Sequence, residues 1–172
     1  MSTFKSMKVS FWLIPAEPDR AFYQSLINTL AHQYNAPMFQ PHITIHSGEC
    51  DLDKVLEFLQ SIHQHQLEIS LEVDRVRYSE QFTKTLFIQL CSNSELEQLS
   101  ESIQRYFDAT FELDPHLSLI YAPLTEMEKR SLTEQLQLSD RVIRFDRVCA
   151  IETPNKTQTR EDVEAWREID PL

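Results

Sequence analysis

One order of elements runs through this sequence twice. Residues 8–15 (KVSFWLIP) read as a strand ended by proline, and 18–35 as a helix with Phe22, Leu26, Ile27 and Leu30 at helical spacing. Residues 42–47 (HITIHS) alternate like a half-buried strand, 51–64 form a helix opened by an Asp51 cap, and 67–78 alternate again. Residues 85–91, 94–107, 116–121, 125–138 and 141–151 then repeat strand, helix, strand, helix, strand, with Ser94-x-x-Glu97 reading as a capping box. Both middle strands open on Pro-His, at 41–42 and 115–116, an offset of 74 residues shared by the caps Asp51 and Thr125. The triplet Asp-Arg-Val also recurs, at 74–76 and 146–148. Two copies of so long a period do not make a solenoid. They predict one domain over 1–172 of the α+β class, with two pseudo-symmetric lobes formed by repeats 8–78 and 84–152. Residues 153–165 are polar and aperiodic and read as a loop, with 166–170 as a short final strand.

Composition removes several function classes. The one glycine, Gly48, excludes a GxxxxGK phosphate loop and a dinucleotide GxGxxG fingerprint. Three scattered cysteines, Cys50, Cys91 and Cys149, suit reduced thiols better than a disulfide framework, and no CxxC pair suggests zinc. A net charge of −11 argues against a broad nucleic-acid backbone binder, double-stranded nucleic acid above all. It leaves room for a small anion held by a few local donors. The opening residues lack a signal peptide's apolar run, and nothing approaches the roughly 18 apolar residues of a membrane span. The expected protein is cytoplasmic and monomeric, with no membrane partner.

The chemistry sits in the doubled motif. Residues i and i+2 of a strand share a face, so His42 projects with Thr44 and His116 with Ser118. Facing lobes bring two imidazoles and two hydroxyls into one cleft. Imidazole, with a pKa near 6.5, can take a proton from water or give one to a leaving oxygen. Hydroxyls can donate to the phosphate oxygens that gather charge in the transition state. No carboxylate–histidine cluster suggests a metal, and no cofactor is expected. His46 lies at i+4 from His42, where strict alternation puts it on the same face: it either contacts substrate or sits at the strand end in solvent.

Pro41-His42-Ile43-Thr44-Ile45 and Pro115-His116-Leu117-Ser118-Leu119-Ile120-Tyr121 resemble the paired His-x-Thr/Ser signatures of the two-histidine (2H) phosphoesterase superfamily. The opening SFWLIP and closing HLSLIY are most similar to the cyclic phosphodiesterases of plant and yeast type. The resemblance implies two lobes, each an antiparallel sheet with outer helices, around a central cleft. It implies metal-independent hydrolysis of small cyclic phosphodiesters: 2′,3′-cyclic nucleotides to 2′-phosphates, and ADP-ribose 1″,2″-cyclic phosphate. By motif position the catalytic residues are His42 and His116, the substrate-binding hydroxyls Thr44 and Ser118, and the substrate-side aromatics Tyr121 and Trp12. Alternation turns Tyr121, at i+5 from His116, away from the cleft, so it reaches substrate only where the strand twists or ends. Trp12 suits the core as well as a base-stacking platform. Arg75, Arg77, Lys84, Arg147, Lys156 and Arg160 are the candidates for a local positive field.

Two other readings keep the same residues. An enzyme of RNA ends or 2′,5′-linked oligonucleotides would want a basic approach surface, which the net charge opposes. A non-catalytic nucleotide-binding module would not need two proton-transfer groups.

Overall fold

The computed structural model describes residues 5–136, 138 and 141–171. Its strands are β1 (Ser6–Pro15), β2 (Ile43–Asp51), β3 (Ile69–Tyr78), β4 (Leu86–Leu90), β5 (His116–Ile120), β6 (Val142–Glu152) and β7 (Arg167–Ile169). The helices are α1 (Asp19–Tyr34), α2 (Leu52–His63), α3 (Ser94–Phe107), α4 (Glu126–Gln135) and α5 (Arg160–Glu164). Local chemistry sets the helix starts. Asp51 accepts from the Asp53 and Lys54 amides, and Thr125 and Glu128 make a reciprocal capping box. The α3 cap is Asn93, whose side chain accepts from the Leu96 amide, and not Ser94 as the sequence suggests. Helix α4 stops at Gln135, short of the predicted 138; Gln137 lies outside the described residues. Helix α5 falls in the segment read as loop, opened by a Thr159–Asp162 capping box.

All seven strands join one antiparallel sheet in the order β2-β1-β6-β3-β4-β5, with β7 beside β6. Exchanging β1 with β4, β2 with β5 and β3 with β6 leaves this order unchanged when read from the other end, so a pseudo-two-fold axis passes between β3 and β6. The sequence repeats are not themselves the lobes: β6 of the second repeat pairs with β1 of the first, and β3 of the first pairs with β4 of the second. Strand direction explains the exchange. Within each repeat the third strand runs parallel to the first, so only the other repeat's third strand pairs with it antiparallel. The helices cross over likewise, α1 packing on β5 and α3 on β2. The end strands β2 and β5 lie against each other, which makes the sheet nearly closed.

A second feature obeys the same symmetry. Phe11 pairs with His46 and Trp12 with Thr44, leaving Ile45 as an extra residue in β2. Leu86 pairs with Ile120 and Phe87 with Ser118, leaving Leu119 extra in β5. These bulges, at positions 45 and 119, reverse the alternation beyond them. Ser100 of α3 donates to the Ile45 carbonyl at 3.0 Å. Among the described residues no helix is long and apolar enough to cross a membrane, and all three cysteines are free.

Candidate active site

Each histidine is held in the same way. The His42 Nδ1 lies 2.7 Å from the Gln40 carbonyl, and the His116 Nδ1 lies 2.7 Å from the Asp114 carbonyl. In both cases the acceptor sits two residues upstream, across the proline. A carbonyl only accepts, so Nδ1 carries the proton and Nε2 of a neutral ring is left with its lone pair. Both imidazoles line one cavity of about 440 Å³.

Burial is the main electrostatic influence on both rings. It pushes His42 down to about 3, against the Gln40 carbonyl, which favours the charged form; His116 across the cavity lowers it further. Burial also lowers His116, opposed by the Asp114 carbonyl, with Lys84 lowering it and the Asp114 carboxylate raising it. Both rings are therefore neutral in the free protein near pH 7.

Thr44 and Ser118 line the cavity beside them. The Ser118 hydroxyl donates to the Thr83 carbonyl at 2.9 Å. Tyr121 also lines the cavity, hydrogen-bonded to Ser118, and burial raises its phenol to about 12, so it stays protonated. Two things bring it there: β5 ends at Ile120, and the Leu119 bulge shifts the alternation by one, so Ile120 turns into the core and Tyr121 toward the cavity. Trp12 lies on the cavity wall and stacks on His42 with ring centroids 3.5 Å apart and planes 8° apart. The matching aromatic of the second half, Phe87, meets His116 edge-on at 5.5 Å.

His46 is placed differently from its expected position. It is fully buried among Phe11, Phe107 and Phe111, does not line the cavity, and neither ring nitrogen has a hydrogen-bond partner. The bulge at Ile45 is the reason: it turns His46 inward and gives its place on the cavity wall to Ser47. Burial lowers the His46 pKa, so the unfolded chain takes up the proton first as pH falls. This folded-state preference for neutral imidazole makes stability decline as pH drops below about 6.5. His46→Leu is expected to leave turnover unchanged, to raise the unfolding free energy by about 1 kcal/mol near pH 7 by removing an unpartnered polar ring, and to flatten that decline. Urea unfolding at pH 7 and 5, with kcat/KM, checks all three.

Sequence reasoning overlooked several cavity residues. Lys8 and Ser10 precede Trp12 at period two and share its face of β1, a signal already present in the sequence. Thr153, Asn155, Thr157 and Gln158, together with the expected Lys156, form the far wall. Lys8 anchors that wall through its Nζ to the Asn155 carbonyl at 2.7 Å. Trp166 closes the aromatic group, edge-on to Trp12, His42 and Tyr121, with its indole N–H donating to Thr157. Of the six basic candidates only Lys156 lines the cavity; Lys84, Arg147 and Arg160 pair with Asp114, Glu168 and Glu164. Among the described residues no Asp or Glu lines the cavity, although the chain carries 27 of them. No cluster of three or more His, Cys, Asp or Glu among those residues is arranged to hold a metal ion.

Comparison with known proteins bears on the family and the fold. A family described as "Cyclic phosphodiesterase-like protein" matches residues 7–168. The "Cyclic phosphodiesterase" of Arabidopsis thaliana is 27% identical over 98% of this chain and 96% of its own length. The "2′,3′-cyclic-nucleotide 3′-phosphodiesterase" of Kluyveromyces lactis is 25% identical over 72% of this chain and 68% of its own. Among solved structures, E. coli LigT complexed with 3′-AMP has a TM-score of 0.59 at 11% identity, covering 96% of both chains. The apo form of LigT gives 0.58 at 13% identity with the same coverage. The chain belongs to the cyclic phosphodiesterase-like family and is a phosphodiesterase on the 2H phosphoesterase fold.

Proposed function

We propose that this protein hydrolyses 2′,3′-cyclic nucleotides to 2′-phosphates without a metal, with His42 and His116 as the acid–base pair. The observation that carries the proposal is the matched Nδ1-to-carbonyl bond on each histidine, which presents two Nε2 atoms to one cavity. One Nε2 takes the proton of the attacking water as its oxygen adds to phosphorus. The other, protonated, gives its proton to the 3′-oxygen as the P–O bond breaks. Thr44 and Ser118 donate to the non-bridging oxygens, and Tyr121 and Trp12 border the substrate. A cavity wall that, among the described residues, is free of carboxylates and carries Lys8 and Lys156 suits an anion despite the chain's −11 charge. The same two lysines support ADP-ribose 1″,2″-cyclic phosphate, whose pyrophosphate carries further negative charge, as a second substrate.

The test is a turnover panel of 2′,3′-cyclic nucleotides, ADP-ribose cyclic phosphate and 2′,5′-linked dinucleotides, before and after exhaustive EDTA treatment, with product isomers resolved by phosphorus NMR. Cyclic nucleotides are expected to give the 2′-phosphate at an undiminished rate after chelation. A dominant 3′-phosphate would reverse the substrate between His42 and His116. Activity lost to EDTA and restored by one divalent ion would end the metal-free reading.

A further inference from the structure

We propose that Asp114 and Lys84 are a positioning pair that tunes His116 and makes it chemically distinct from His42. The inference rests on the acid–base reading above.

Position 114 corresponds to position 40 in the repeat, and both backbone carbonyls hold an imidazole Nδ1. Their side chains differ. Gln40 offers no charge, and His42 is covered instead by the Trp12 ring. The Asp114 carboxylate lies 2.6 Å from Lys84 Nζ through Oδ2, accepts from Gln89 Nε2 at 3.0 Å through Oδ1, and has Oδ2 3.9 Å from His116 Nδ1. Gln89 stands opposite His116 in the β4–β5 register and also donates to the Pro115 carbonyl at 3.0 Å. Lys84 Nζ sits 4.7 Å from the centre of the Phe87 ring, whose edge contacts His116. Residues 114–116 are thus clamped from β4 and from the adjoining 3₁₀ turn, Phe82–Lys84.

Neither Asp114 nor Lys84 lines the cavity, so both act through His116. The carboxylate favours the imidazolium and the ammonium opposes it. Held together they oppose each other, and removal of either exposes the other. Among the described residues, the other charged or titratable groups around His116 are Arg77 of β3, over the Phe87 ring, and His42, Lys8 and Lys156, which line the same cavity. None of these residues is substituted in the variants below.

The experiment follows the His116 ring by NMR titration in the wild type, Asp114→Asn, Lys84→Met and the double variant, alongside the pH dependence of kcat/KM. Asp114→Asn is expected to lower the His116 midpoint and Lys84→Met to raise it, each by about half a pH unit or more. The double variant is expected to return toward the wild type. One limb of the rate profile is expected to follow the ring, with KM little changed. Midpoints that stay fixed, or that move in the same direction in both single variants, overturn the pairing. Opposite ring shifts with an unmoved rate profile support the pairing and overturn the role given to His116 in the reaction.

Discussion

Alanine in place of His42 or of His116 is expected to lower turnover of a 2′,3′-cyclic nucleotide by about 10²- to 10⁴-fold in each case. Each substitution removes one of two proton transfers, together with the Nε2 that the carbonyl-bonded ring presents to the cavity. Water supplies the proton more slowly because it is neither positioned nor matched in pKa. The fold is expected to survive both changes, since each ring is neutral in the free protein and lies at the cavity wall. His42→Ala also uncovers one face of Trp12, so its circular dichroism and melting need checking beside the kinetics. Near wild-type turnover in either folded variant contradicts the paired mechanism.

Thr44→Ala and Ser118→Ala are expected to cost about 10- to 10³-fold each, because each removes one donor to the oxygens that gain charge in the transition state. The loss is expected in kcat more than in KM, as such a donor matters most when the charge has developed. The two sites differ in their resting state. The Ser118 hydroxyl donates to the Thr83 carbonyl and must turn toward substrate. Ser118→Thr keeps the hydroxyl and is expected to recover most of the loss, as is Thr44→Ser. Steady-state kinetics on the four variants checks this, and an equal loss in the hydroxyl-keeping variants points to packing instead of donation.

Much of this site was legible in the sequence because it is doubled. Pro-His at a fixed offset, inside the same order of strands and helices, located both imidazoles and the hydroxyl two residues beyond each. Alternation failed at the bulges. Ile45 and Leu119 are ordinary apolar strand residues, and nothing in either short run announces that two residues will face one. His46 consequently turns into the core, and Tyr121, which alternation alone turns away from the cleft, reaches the cavity as its motif position implies. The exchange of third strands was equally hidden, since it depends on strand direction across the whole sheet. Trp166 and, apart from Lys156, the 153–158 wall escaped notice because a polar segment has no periodicity, and the five residues of α5 are too few to display a helical face. The equal motifs also concealed an unequal chemistry: Gln40 and Asp114 differ only in a side chain that alternation does not weigh.

The most direct test of the acid–base pair is the pH dependence of kcat/KM and of kcat for a 2′,3′-cyclic nucleotide in the wild type and in His116→Ala. The wild-type rate is expected to fall on both sides of an optimum, with limbs belonging to the coupled pair. Burial depresses both rings in the free protein, so the kcat/KM optimum is expected on the acid side of neutrality. Bound phosphate favours imidazolium, so the kcat optimum is expected at higher pH than that of kcat/KM. His116→Ala is expected to lose one limb along with most of the rate. A wild-type rate that stays flat from acid to alkaline pH, or a bell left intact in His116→Ala, contradicts the mechanism.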